Sequence, residues 1–224
     1  MIKRKTTGDL IVISGPSGSG KGTIIQELLK KNDSLYLSVS MTSRPIRDYE
    51  TNGKEYYFTS REEFEEKIKN GEFLEYTSYN GNYYGTLKSE LVDNLKNGRN
   101  VILEIEIVGA LNVKKLVPEA IFVFILPPTM QELLNRLKHR GTEDKEKIVA
   151  RFKRAYEEIN EISKYNYVVI NDSLDEAVTN IEAILRSEKL RVDRIEDIEI
   201  GNEEELIHEF LLPDKEMQNK DELI

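Results

Sequence analysis

The sequence predicts an α/β fold in which a mostly parallel sheet carries helices on both faces, and three observations lead there. Short, continuous apolar runs recur at Leu10–Ser14, Val101–Ile105 and Ile121–Leu126, and a further strand is read at Tyr167–Ile170. Each is followed by a stretch of helix-forming residues, and the first opens onto a glycine-rich turn. An uninterrupted apolar run suits a strand buried on both faces, whereas a strand with one wet face alternates. Strands alternating with helices imply crossover connections, a parallel sheet, and ligands at the carboxyl ends of the strands.

In chain order, Leu10–Ser14 reads as a strand, Gly22–Lys31 as a helix, and Leu35–Ser40, which alternates polar with apolar residues, as a second strand. From Met41 to about Asn97 the composition shifts towards tyrosine, glycine and carboxylates. Short strands are expected there at Tyr56–Phe58, Phe73–Tyr79 and Asn82–Tyr84, with one helix at Arg61–Asn70, which together read as an inserted α+β subdomain. The alternation then returns, with helices at Val108–Leu116 and Thr129–Lys138 behind the next two strands. A polar stretch from Gly141 leads into a long charged helix reaching about Tyr165, on which Lys147, Lys153 and Arg154 read as a solvated face. A helix at Leu174–Leu190 follows the last strand. Core segments 9–40 and 98–190, an insert at about 41–97, a small helical lid at about 136–155 and an extension at 191–224 summarise the expected organisation.

Composition narrows the chemistry. At 224 residues, 39% hydrophobic and 33% charged, the chain is long enough for one well-packed domain and ordinary in balance. No apolar run approaches the length that spans a bilayer, and the basic start Lys3, Arg4, Lys5 is followed by too short an apolar stretch for a secretory leader, so the expected location is cytoplasmic. With no cysteine and two histidines, disulfides, thiolate metal sites and cysteine nucleophiles are excluded, and any metal is held by oxygen. The net charge of −9 is concentrated from Arg191 onward, where 12 acidic residues face 4 basic ones, and the remainder is nearly neutral. Neither part has the basic excess of a nucleic-acid-binding face, so the expected partners are small anions, with no nucleic acid, no membrane, and a homo-oligomer left open. In the tail, Asn202 and Glu205 fit a capping box with Leu206, Ile207, Phe210 and Leu211 on one helix face; a solvated acidic tail is the alternative. Lys220–Leu223 spells a retention signal but is followed by Ile224, and reads as coincidence.

The chemistry begins at Gly15, Pro16, Ser17, Gly18, Ser19, Gly20, Lys21, Gly22 and Thr23, between a buried strand and a helix. Glycines let a backbone curl so that successive N–H groups point at phosphate oxygens, the helix N-terminus adds positive potential, and Lys21 adds a full charge at the β and γ phosphates. The common pattern places Ser or Thr directly after the lysine; here Gly22 intervenes, and Thr23 becomes the expected hydroxyl on the Mg²⁺ side. A GTPase would need an Asn-Lys-x-Asp loop behind a strand, and the nearest match, at Asn219–Glu222, ends in the wrong residue and lies in the tail.

Downstream, Ser38-Val39-Ser40 precedes paired arginines, Arg44 and Arg47, whose planar forks suit phosphate oxygens. Asn52-Gly53-Lys54-Glu55-Tyr56, Phe73-Leu74-Glu75 and Gly81-Asn82-Tyr83-Tyr84-Gly85-Thr86 follow. In the order and spacing of these motifs, from about Asp9 to Glu188, the chain resembles the guanylate kinases, a phosphate-loop family. The resemblance implies transfer of a phosphoryl group from ATP to GMP, and to dGMP, with Mg²⁺ as cofactor. It implies that Arg44, Arg47, Tyr56 and Tyr84 hold the GMP phosphate while Ser40, Glu75 and Thr86 read guanine. Guanine presents two adjacent donors, N–H and NH₂, which one carboxylate accepts together, and hydroxyls at Ser40 and Thr86 suit O6.

The family usually carries Asp at the position of Glu106 and Gln at that of Val108, and Glu104 and Glu106 are both candidates for contact with GMP or with hydrated Mg²⁺. Arg136, Arg140 and Arg151 around Gly141 resemble the family's lid. Arg140 and Arg151, with Lys21 and Arg44, are the expected catalytic residues, and Arg136 and Asn171 the expected flank of ATP. Domains of this type also serve as protein-interaction modules, and kinases for other acceptors exist. The retained Gly20 and Lys21 and the Glu75, Ser40, Thr86 set favour a GMP kinase over both.

Overall fold

The run Leu10–Ser14 is buried from end to end because it forms the middle of a five-stranded sheet. The computed structural model describes residues 2–4, 7–139 and 145–198. By internal contacts the chain divides into two compact units, one of Thr6–Arg186 and one of Met1–Lys5 with Ser187–Ile224. In the smaller unit, β1 (Ile2–Arg4) pairs antiparallel with the last strand, Ile195–Ile198, and Arg191 and Arg194 pair with Glu188. Strand β1 has no counterpart among the elements expected from sequence. The expected tail helix around 202–211 lies outside the described residues.

In the larger unit β2 (Leu10–Ser14) leads through the phosphate loop into α1 (Lys21–Lys31), then β3 (Leu35–Leu37). The next segment contains β4 (Met41–Thr42), β5 (Tyr57–Phe58), α2 (Arg61–Lys69), β6 (Phe73–Tyr79), β7 (Asn82–Leu87) and α3 (Ser89–Lys96). The chain then returns through β8 (Asn100–Glu104), α4 (Ile107–Leu116), β9 (Ile121–Leu126), α5 (Met130–His139), α6 (Lys145–Ile159), β10 (Tyr167–Ile170) and α7 (Leu174–Glu188). The last strand of the described chain is β11 (Ile195–Ile198).

The central sheet runs β10-β9-β2-β8-β3 and all its pairings are parallel. Successive residues of β2 point to opposite faces and both faces are covered, which is why the run shows no alternation. Ile11 and Ile13 pack with Ile24, Ile25 and Leu28 of α1 and with Ala177, Val178 and Ile181 of α7. Leu10 and Val12 pack on the other side with Ala110 and Val113 of α4 and Leu91 of α3.

A second sheet, ordered β5-β4-β7-β6, carries α2. Asn80 and Gly81 both have positive φ, 47° and 77°, which is the backbone a tight hairpin between β6 and β7 demands. Helix α2 starts where Ser60 Oγ accepts from the Glu63 amide, and its one fully buried side chain, Phe64, stacks on Phe73 and Tyr83 at centroid distances of 4.3 and 5.2 Å.

Three expectations need correction. The strand predicted over Leu35–Ser40 stops at Leu37, because the Ser38 amide makes the last bond to Ile102 and the chain then changes sheets to start β4. The long helix predicted to about Tyr165 ends at Ile159: Asn160 and Glu161 make i→i−3 bonds, a short 3₁₀ turn follows, and Asn166 meets the Phe122 amide so that β10 can enter the sheet beside β9. The segment 41–97 holds two helices rather than one, and the second, α3, sends Leu91 and Leu95 into the core beside Val12 and Val101.

Phe64→Ala removes the ring that fills the second sheet's core and is expected to lower stability by about 3–5 kcal/mol, read from urea unfolding.

Candidate active site

The carboxyl ends of the parallel strands bring the candidate residues to one edge of the core sheet, beginning with the loop after β2. Gly15 has φ 148°, and a Cβ there would lie 2.2 Å from the Ile125 carbonyl oxygen of β9. Gly20 caps α1 in the left-handed region at φ 91°, with the Asn171 amide nitrogen 2.2 Å from where its Cβ would be. Only glycine fits either position. Asn171, buried after β10, donates its side-chain amide to the Ser19 carbonyl (2.8 Å) and its backbone N–H to Leu126 (2.7 Å). Expected at the ATP base, Asn171 is therefore also a latch that holds the curl of the loop.

Lys21 Nζ donates to the carbonyls of Gly15 (2.6 Å) and Pro16 (3.3 Å), which arches the side chain back over its own loop. Arg136 donates to the Asn171 carbonyl (3.1 Å) and to Glu132 (2.9 Å). Arg151 of α6 reaches across to Ser17, Nη2 donating to Oγ at 2.5 Å. Arg140, with Gly141, lies outside the described residues. Thr23 is exposed on the first turn of α1, and beside it Gly22 faces the Glu104 carboxylate, whose oxygens lie 3.8 and 3.9 Å from an added Cβ.

The paired arginines part company in three dimensions. Arg44 is clamped by Glu50, each guanidinium Nη donating to one carboxylate oxygen at 2.8 Å, with both side chains largely buried. Their hydrogen bonding raises the Arg44 pKa and lowers that of Glu50, which also accepts from the Arg47 amide (2.9 Å). Arg47 is exposed and its side chain meets the Tyr49 hydroxyl (2.8 Å). Arg44 Cζ lies 5.5 Å from the Tyr56 ring centroid, and Tyr84 meets Tyr56 edge-on at 5.8 Å. Burial, then the neighbouring Tyr84 and Glu104, pushes the Tyr56 hydroxyl above its ordinary pKa.

Thr86 of β7 and Glu75 of β6 stand side by side, and Ser40 lies just before β4 on the other side of β7. Glu75 of β6 pairs in register with Thr86 of β7, and Ser40 stands one step before the Met41–Gly85 pair. Glu75 is 6% exposed; burial raises its pKa to about 6, opposed by hydrogen bonds from the Thr86 hydroxyl (2.9 Å to Oε1) and backbone. The Thr86 hydroxyl proton is thereby committed to Glu75, which leaves the lone pairs of that hydroxyl to accept. The other Glu75 oxygen lies against Gly109 of α4, where an added Cβ would be 2.7 Å away.

Several residues at this edge are absent from the set expected from sequence. Glu50 and Gly109 carry no signal beyond their position near expected site residues. Arg154 carries one. It does not lie on a merely solvated face: Nη2 donates to Glu106 (2.7 Å), Nε to Glu158 (2.9 Å), and its guanidinium lies 4.3 Å from the Tyr79 ring centroid. Its three-residue spacing from Arg151 and four-residue spacing to Glu158 put all three on one helix face.

A parallel sheet with a glycine loop feeding its first core helix, an inserted second sheet and arginines reaching in from another helix define the phosphate-loop kinase class. The comparisons agree. The family model described as Guanylate kinase matches residues 7–188. The chain is 56% identical over 204 residues to a guanylate kinase of Clostridium tetani, covering 91% of this chain and 98% of that one. It is 54% identical to one of Caldanaerobacter subterraneus, covering 91% and 98%. The crystal structure of guanylate kinase from Anaplasma phagocytophilum superposes with a TM-score of 0.71 at 33% identity, over 94% of this chain and 99% of that one. The chain belongs to the guanylate kinase family.

Asn171→Ala leaves the Ser19 carbonyl buried without its donor and is expected to cost about 1–3 kcal/mol in urea unfolding, with the loop's proteolytic sensitivity raised in parallel.

Proposed function

We propose that this enzyme transfers the γ-phosphoryl group of ATP to GMP, and to dGMP, giving ADP and the guanosine diphosphate. The observation that carries the reading is the buried Glu75–Thr86 pair: a carboxylate placed out of water, with Ser40 alongside, at the same edge as a lysine-bearing phosphate loop. A carboxylate there accepts from guanine N1–H and the 2-amino group, whereas adenine leaves its buried oxygens unpaired, a discrimination of up to ~10⁴-fold.

The rest follows from positioning and charge. Arg44, held by Glu50, and Arg47, with Tyr56 and Tyr84, bind the acceptor phosphate; the loop from Gly15 to Thr23 binds the donor's phosphates, with Arg136 and Asn171 at its flank. Lys21, Arg151 and Arg140 neutralise charge on the group in transit. The acceptor's second phosphate pKa lies at ~6, so the nucleophile is ionised at neutral pH and needs no strong general base. Closure of the arginine-bearing lid segment excludes water and protects ATP from hydrolysis. The oxygen donors at the start of α1, the Thr23 hydroxyl and the Glu104 carboxylate opposite Gly22, suit a hard ion that keeps most of its water, which fits Mg²⁺. Thr23 and Glu104 would hold the ion there, and the chemistry it would supply is neutralisation of phosphate charge. No helix among the described residues is long and apolar enough to cross a membrane.

The assay is ADP formation from ATP with GMP, dGMP, AMP, CMP and UMP in turn; turnover with AMP in preference to GMP would sink the guanine assignment. Lys21→Met is expected to lower kcat by about 10²-fold or more while the chain stays folded by circular dichroism. A second test uses pH. Since burial lifts Glu75 to about 6, its ionised form is lost as pH falls through that value, and kcat/KM for GMP should fall with it. The phosphate of GMP titrates in the same range, so Glu75→Gln serves as reference: it should lower GMP selectivity throughout and retain only the phosphate's part of the acid limb.

A further inference from the structure

Helix α6 enters the site at two points, one on each substrate's side. Arg151 touches Ser17 of the phosphate loop. One turn further along the same face, Arg154 stands at the other side, bonded to Glu106 just beyond the carboxyl end of β8 and lying over Tyr79 of β6. Tyr79 approaches Tyr84 at 6.5 Å between centroids, Tyr84 meets Tyr56 at 5.8 Å, and Arg44 lies 5.5 Å from Tyr56. Three tyrosines thus form a row with a guanidinium at each end, Arg44 from the second sheet and Arg154 from α6. The two tyrosines on the Arg44 side are those assigned above to the acceptor phosphate.

The site around Arg154 has the features of a built contact rather than a surface pair. Its two acidic partners come from different elements, Glu106 before α4 and Glu158 from its own helix, and Glu158 is largely buried. Burial lowers the pKa of Arg154, but the two carboxylates outweigh it and the net shift is upward. Burial raises Glu158, opposed by Arg154 and by the charge of Lys21, so this cluster senses the loop lysine as well. A planar guanidinium meets all three demands at once, bonding two carboxylates edge-on while stacking its face on a ring; an ammonium cannot.

We propose that Arg154 is a positioning residue for the acceptor: it holds the Glu106 carboxylate and seats α6 on the tyrosine row, so that the helix carrying Arg151 docks in register with an occupied acceptor site. The inference rests on the GMP-kinase reading and deepens it. Arg154 acts through Glu106 and Tyr79, and its loss therefore falls on the acceptor rather than on the donor.

Steady-state kinetics with GMP and ATP varied separately test this. Wild-type turnover is read first, since no turnover with GMP defeats the parent reading and not this one. Given it, Arg154→Ala should raise KM for GMP by about tenfold, the scale of a lost charge-assisted hydrogen bond, with KM for ATP within about twofold. Arg154→Lys, which keeps the charge but neither the stack nor the paired hydrogen bonds to Glu106 and Glu158, should recover part of the loss. Tyr79→Leu should raise KM for GMP in the same direction, and the double variant with Arg154→Ala should cost less than the sum of the two. An unchanged KM for GMP in Arg154→Ala, or equal rises for both substrates with a matching fall in Tm, overturns the proposal. Where Arg154→Ala does not fold, the lysine variant and Tyr79→Leu decide by the same criterion: a rise confined to GMP supports the proposal, and no rise or an equal rise overturns it.

Discussion

The curl of the backbone between β2 and α1 is the constraint on which the rest of the molecule depends. It needs Gly15 and Gly20 in conformations other residues rarely adopt, and room against the Ile125 carbonyl and the Asn171 amide that no Cβ leaves. It also needs β2 fixed in the middle of the sheet, with β9 on one side to meet Gly15 and β10 beyond to deliver Asn171. Both faces of β2 are sealed by helices, so the strand cannot shift without unseating close-packed side chains on both sides. The loop is thus held from three elements before any nucleotide arrives.

Around that fixed loop several charged groups are arranged in opposed pairs. Arg44 is satisfied by Glu50, Arg136 by Glu132, and Arg154 by Glu106 and Glu158. A cleft meant for two polyanions needs several cations, and unpaired guanidiniums crowded together would repel one another in the empty state. Carboxylates supplied in the fold hold each fork in place and fix its orientation. Glu75 differs from these, since its hydrogen-bond partner is a hydroxyl rather than a cation. Without a compensating charge, burial raises its pKa, and its second oxygen lies where only a glycine at position 109 leaves room.

Much of this is legible in sequence because it rests on local patterns. The apolar runs mark β2, β8, β9 and β10 to within a residue or two, and the glycine loop marks its own function. Helix α3 escapes because Ser89–Lys96 has too little length and too few apolar positions to stand out beside the strands around it. The break after Ile159 escapes because residues 160–165 carry no glycine or proline; what ends the helix is the need of β10 to reach β9. Arg154 reads as solvated for a related reason. A helical face rich in charge is usually wet, and nothing in the local sequence shows that Glu106 and Tyr79, distant along the chain, stand opposite it.

By itself the sequence determined the fold class, the phosphate loop and the resemblance that identified the family, since each depends on residues close in the chain or on the spacing of separate motifs. Only the tertiary structure decided which charges meet. Arg44 and Arg47, three residues apart, end up one clamped and one exposed, while Arg151 and Arg154, equally close, reach to different elements, the phosphate loop at Ser17 and Glu106 beyond β8. A short side-chain spacing fixes a local direction, but the partner at the end of that direction comes from whichever strand or loop the sheet order brings there.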